Sequence, residues 1–159
     1  MSSFKQALGL IVIASICFAV AGIGSSFMPS ALSEWFPALN KPSWNPPNWI
    51  FGPVWSLLYL LMAVAAWLVW RQLGWRGAAV PLALFAVQLL LNGAWTGLFF
   101  GLRMPWIAFA EIVLLWCAIF ATLISFWRVT PIAGWLMVPY LAWVSFATVL
   151  NLTLARMNP

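Results

Sequence analysis

Five long runs without a charged residue leave this chain few ways to fold. They cover residues 7–33, 50–70, 77–102, 112–127 and 129–155. Each approaches or exceeds the roughly 17–25 residues that a helix needs to cross a bilayer. A helix satisfies its own backbone hydrogen bonds, which lipid cannot do for it. The fold class expected is therefore an all-α integral membrane protein: one domain over residues 1–159, with helices near 5–27, 50–72, 79–101, 105–127 and 131–155, and an ordered loop over 28–49. A water-soluble globule is excluded, because 65% of the residues are hydrophobic and 6% charged, against about a quarter charged in ordinary domains. Mean hydropathy is +1.03. Lys5 followed by an apolar run, with Ala19-Val20-Ala21 beyond it, also resembles a secretory signal. The run continues past that site, so a retained first helix is the better reading.

Seven Lys and Arg against two acids give a net charge of +5. They are scattered singly and form no basic stripe, so no nucleic-acid partner is expected. The partner they imply is the lipid bilayer. Five spans put Lys5, Arg71, Arg76 and Arg128 on the amino-terminal side and Lys41, Arg103 and Arg156 on the other, a bias of one toward the amino terminus inside. Histidine is absent. That removes the usual neutral-pH acid/base and the commonest metal ligand, so no hydrolytic triad, metal site or required cofactor is expected. Cys17 and Cys117 fall inside spans and are read as small apolar packing residues.

Pro53, Pro81, Pro105 and Pro131 stand near the starts of helices two to five, where a missing N–H costs little. Pro139 lies inside the fifth span and is expected to kink it. Short connections after the second, third and fourth helices favour antiparallel neighbours. The segment before the second helix is different. It carries Trp35, Phe36 and Trp44, and the run Lys41-Pro42-Ser43-Trp44-Asn45-Pro46-Pro47 holds three prolines that stiffen it. This is read as an ordered aromatic lid over a pocket.

At 100° per residue, Gln88, Asn92, Trp95 and Phe99 share one face of the third helix, within about 60°. Amides are costly against lipid, so this face is expected to look inward. Trp55, Tyr59 and Met62 share a face of the second helix, and Tyr140, Trp143, Ala147 and Asn151 one of the fifth. Together with Trp44 these are the candidate ligand-binding residues: flat rings, a few amides and phenols, almost no charge, suited to a large, flat, apolar ligand. Gly93, Gly97 and Gly101 recur every four residues on roughly the opposite side of the third helix. Such a small-xxx-small stripe lets two backbones approach closely, and a homodimer interface is expected there, with close packing inside one bundle as the alternative. Glu111 shares a face of the fourth helix with Ala118, Thr122 and Ser125; it is either functional or an acid that reaches the interface or pairs with Arg103.

These blocks resemble the tryptophan-rich sensory protein or translocator protein family, whose mitochondrial members were described as peripheral benzodiazepine receptors. The resemblance runs from Trp35-Phe36 through residues 41–47 and Gly52-Pro53-Val54-Trp55, through Gln88, Asn92, Trp95 and Phe99-Phe100-Gly101, to Pro139-Tyr140-Leu141-Ala142-Trp143 and Phe146-Ala147-Thr148. It implies a five-helix bundle, commonly dimeric, that binds porphyrins such as protoporphyrin IX, and in some members cholesterol and isoquinoline or benzodiazepine drugs. It carries pocket roles to Trp55, Gln88, Asn92, Trp95 and Trp143, and a sterol-sensitive small position to Ala147. The family's sterol motif is incomplete: Leu150 and Arg156 stand, but Leu152 occupies the aromatic place. The chain looks like a bacterial member, for which inner and outer membranes both fit. Three roles follow. The favoured one is a receptor or sensor that holds a tetrapyrrole. The others are a tetrapyrrole transporter and a light- and oxygen-dependent protoporphyrin-degrading enzyme, in which Trp55 and Trp143 would relay electrons.

Overall fold

A computed structural model describes residues 2–159. Five helices long and apolar enough to span a membrane make up most of it, and no strand occurs among the described residues. Helix α1 is Ser3–Ser25, α2 is Phe51–Gly77, α3 is Ala79–Thr96 continued by a π-helical turn Gly97–Gly101, α4 is Pro105–Val129 and α5 is Pro131–Met157.

Local chemistry sets these limits. Ser2 caps α1, its hydroxyl accepting from the Lys5 amide at 3.4 Å, which satisfies one of the first-turn donors. Pro105 and Pro131 occupy the first turns of α4 and α5. Near the end of α2, Gly74 takes a φ of +67°, open to glycine without Cβ strain. The helix breaks there, and Ala78 alone links the last turn to α3. Despite that tight link, α2 packs mainly against α1 and α5, and α3 mainly against α4. Adjacency in sequence thus predicts the α3–α4 and α4–α5 pairs but overstates α2–α3. Around the bundle the order is α1, α2, α5, α4, α3 and back to α1.

The connection from α1 to α2 is more helical than its composition suggests. Residues 28–38 form a helical run with a π turn at Ala31–Trp35, and only the stretch before the single turn Asn48–Ile50 is irregular. Phe36 of this run is buried, lying 6.5 Å from Phe51 and 6.1 Å from Phe100, ring centre to ring centre. Trp44 meets Phe146 of α5 edge-on at 5.9 Å. The segment therefore covers one end of the bundle.

The glycine stripe of α3 runs along the side nearest α1 and the residues that follow it. A Cβ on Gly93 would meet Val20 at 3.3 Å, and one on Gly101 would meet Phe27 at 3.1 Å, with Phe27 also nearest to Gly97. Gly93 and Gly101 thus approach α1 and the residues just after it, with Gly93 and Gly97 half-buried and Gly101 exposed. The spacing does permit close approach, but the chain's own first helix makes use of it.

Candidate ligand pocket

The inward faces meet in hydrogen bonds that join four helices. The Tyr59 hydroxyl of α2 donates to Asn92 Oδ1 of α3 at 2.8 Å, and Asn92 Nδ2 donates to the Tyr140 hydroxyl of α5 at 2.6 Å. One turn further, Trp95 Nε1 donates to Asn151 Oδ1 at 3.0 Å, and Asn151 Nδ2 donates to the Pro105 carbonyl at 2.8 Å. Asn92 and Asn151 are each 1% exposed. A buried amide in a membrane protein is costly unless paired, and here both ends of each amide are used. Gln88 is fully buried, with Nε2 3.8 Å from Met62 Sδ and Oε1 unpartnered.

Aromatic rings fill the space beside this network. Trp55 is at its centre, 6.0 Å from Tyr59, 6.4 Å from Trp95 and 6.3 Å from Tyr140. The π turn at the end of α3 is wider than an α turn. The consecutive residues Phe99 and Phe100 of this turn are both buried. Phe99 stacks on Trp95 at 5.5 Å and meets Trp35 of the lid at 5.5 Å.

Trp55 and Trp95 form a wall between two cavities. The larger, about 300 Å³, lies between α1, α2 and α3 and takes Tyr59 and Asn92 into its lining, with Phe18, Thr96 and Met28. Gly22 and Ser25 of α1 and Gly52 and Ser56 of α2 line it and are themselves exposed, so it opens sideways on the α1–α2 seam. The smaller, about 20 Å³, lies beneath the lid and is bounded by Phe36, Phe99, Trp143, Ala147 and Asn151. Phe51 and Phe100 join Trp55 and Trp95 in both linings.

The sequence-derived set is therefore gathered at one end of the bundle but divided. Tyr59 and Asn92 face the larger cavity, Phe99, Trp143, Ala147 and Asn151 the smaller one, and Trp55 and Trp95 both. Tyr140 and Gln88 are buried behind these walls, and Trp44 lies on the lid with 46% of its surface exposed. Residues the face analysis passed over include Phe36, Phe51, Phe100 and the α1 contributors. Phe100 lies off the face that carries Gln88, Asn92 and Phe99; α1 is so uniformly apolar that no face stood out, although Ala21, Gly22 and Ser25 do form a small-residue stripe. Glu111 is outside both linings. Its two carboxylate oxygens are buried without a hydrogen-bond partner, which rules out the pairing with Arg103.

The sequence was compared with known proteins. Residues 13–157 match the model of the TspO/MBR family. The chain is 45% identical over 157 residues to the tryptophan-rich protein TspO of Chlorobaculum tepidum, covering 98% of this chain and 99% of that one. It is 43% identical to the translocator protein of Homo sapiens over 86% of this chain and 82% of the relative. Similarity to the tryptophan-rich sensory protein of Cereibacter sphaeroides is 42% over 89% of this chain and 86% of the relative.

Proposed function

Because this multi-pass membrane chain belongs to the TspO/MBR family, we propose that it is a membrane receptor or sensor whose ligand is a porphyrin, protoporphyrin IX or a haem-related tetrapyrrole, held among the inward aromatic rings. The observation that carries this reading is the Trp55 cluster, in which Trp95, Tyr59 and Tyr140 rings surround Trp55 at 6.0–6.4 Å beside the larger cavity. Flat π-faces with a few neutral hydrogen-bonding groups suit a flat, largely apolar macrocycle. Binding needs rearrangement, since a cavity of about 300 Å³ is at the low end of ligand sites, which run from about 300 to 1,000 Å³. Turning the Trp55 ring aside would join the two cavities and give the macrocycle its room. Sterol or isoquinoline-like ligands would use the same rings, with Ala147 leaving space beneath the lid.

The test is titration of the detergent-solubilised protein with protoporphyrin IX in the dark, followed by tryptophan fluorescence. Saturable quenching in the wild type, weakened about tenfold in Trp143→Phe and Asn92→Ala, supports the pocket. Non-saturable quenching, or curves that superimpose for all three proteins, rejects it. One observation favours the transporter reading instead: the unpaired Glu111 carboxylate within a span, a common feature of membrane pathways. Protoporphyrin flux into sealed proteoliposomes that is lost in Glu111→Gln would support transport; binding without flux would leave the receptor.

A further inference from the structure

Besides its aromatic contacts, the lid is tied by hydrogen bonds to the carboxyl end of α5, outside the pocket. The Asn158 side chain, at the carboxyl end of α5, is paired to the lid backbone like a short piece of ladder. Its Oδ1 accepts from the Asn40 amide at 2.9 Å, and its Nδ2 donates to the Asn40 carbonyl at 3.0 Å. The same Nδ2 donates to the Leu154 carbonyl at 2.9 Å, one of the last-turn acceptors a helix leaves unpaired. Both amide hydrogens are thus engaged, one fixing the side chain to α5 and the other reaching the lid. A weaker bond runs from Asn40 Nδ2 to the Met157 carbonyl at 3.4 Å.

We infer that Asn158 is a positioning residue that latches the 39–47 segment over the smaller cavity, and that its release is the step admitting ligand beneath the lid. The gating half of this inference rests on the ligand reading above; the latch itself does not. The covering aromatics, Phe36 and Trp44, belong to the segment on either side of Asn40, and Leu154 lines the cavity. A hydrogen bond at Asn40 therefore fixes the rings that close the site. Lys41 stiffens the same corner, its Nζ donating to the Pro37 and Leu39 carbonyls at 3.0 and 3.2 Å and lying 5.2 Å from the Phe36 ring centre. The chemistry is specific to an amide: a carboxylate keeps the acceptor but loses both donors and sets its charge against two carbonyl oxygens.

The experiment compares Asn158→Ala, Asn158→Asp and Asn40→Ala with the wild type by residue-resolved amide exchange, and measures protoporphyrin IX association and dissociation rates for each. Asn158→Ala and Asn158→Asp should speed exchange of the Asn40 amide, and of the hydrogen-bonded Leu39 and Asn45 amides near it, by about fivefold, as expected for losing about 1 kcal/mol. Helix amides should keep wild-type protection, which separates latch release from unfolding. Asn40→Ala retains the backbone N–H and C=O and should resemble wild type, whereas a general loosening by surface substitution would affect it equally. Association and dissociation should both accelerate in the Asn158 variants, because a latch changes passage more than final contacts. Wild-type exchange at Asn40 in both Asn158 variants overturns the latch. Faster exchange with unchanged ligand rates overturns the gating role. If the wild type binds no protoporphyrin, the ligand reading and with it the gating role are lost, and exchange alone decides the latch.

Discussion

Asn92 does more than its size suggests, because its one side chain links α2 to α5 through Tyr59 and Tyr140. Asn92→Ala strands two buried phenols at once. The expected loss is about 1–3 kcal/mol, given the modest worth of single interhelical bonds in membranes and the larger cost of leaving a buried group unmade. Reversible unfolding of the detergent-solubilised protein measures it, and a loss below about 0.5 kcal/mol would mean that water or neighbouring groups replace the bridge. At this scale much was legible from sequence. Gln88, Asn92 and Asn151 all face inward because unpaired amides are costly against lipid, and Trp95 and Tyr140 share their faces. What the stripe did not reveal is that the Trp55 ring divides the space. A side-chain rotamer decides that, and periodicity carries no information on rotamers.

Among the helices, α1 shows best how packing differs from patterning. Its Gly9 sits so close to α2 that a Cβ would overlap the Trp70 ring, whereas a Cβ on Gly22 meets nothing within 4 Å. Two substitutions of the same kind should therefore behave oppositely. Gly9→Leu is expected to lower stability by about 1–3 kcal/mol, as overpacking does. Gly22→Leu should leave the unfolding midpoint near wild type but narrow the larger cavity and weaken protoporphyrin binding several-fold. Thermal unfolding and the dark titration, run on both variants, separate the two effects; equal destabilisation would show that the α1–α2 seam is filled. The boundaries of α3, α4 and α5 were readable because Pro81, Pro105 and Pro131 stand in their first turns. The helical character of 28–38 was not, since its prolines, Pro29 and Pro37, fall at the starts of short turns where they are tolerated.

For the molecule as a whole, the glycine stripe on α3 bears on assembly. Since Val20 and Phe27 lie against it, Gly93→Leu is expected to loosen α1 and lower the unfolding midpoint without altering the mass measured by light scattering in detergent. A change of oligomeric state with stability preserved would return the stripe to an interface between copies. The spacing foretold a close approach, within one bundle or between two; that the Val20 and Phe27 side chains make it is not written in the period of the glycines. The sideways opening of the larger cavity has a different kind of consequence. It makes the hydrocarbon, rather than the aqueous phase, the reservoir from which an apolar ligand is drawn, so occupancy should follow the mole ratio of ligand to lipid. Diluting loaded proteoliposomes with buffer should then leave the bound fraction unchanged, while adding empty vesicles should strip it.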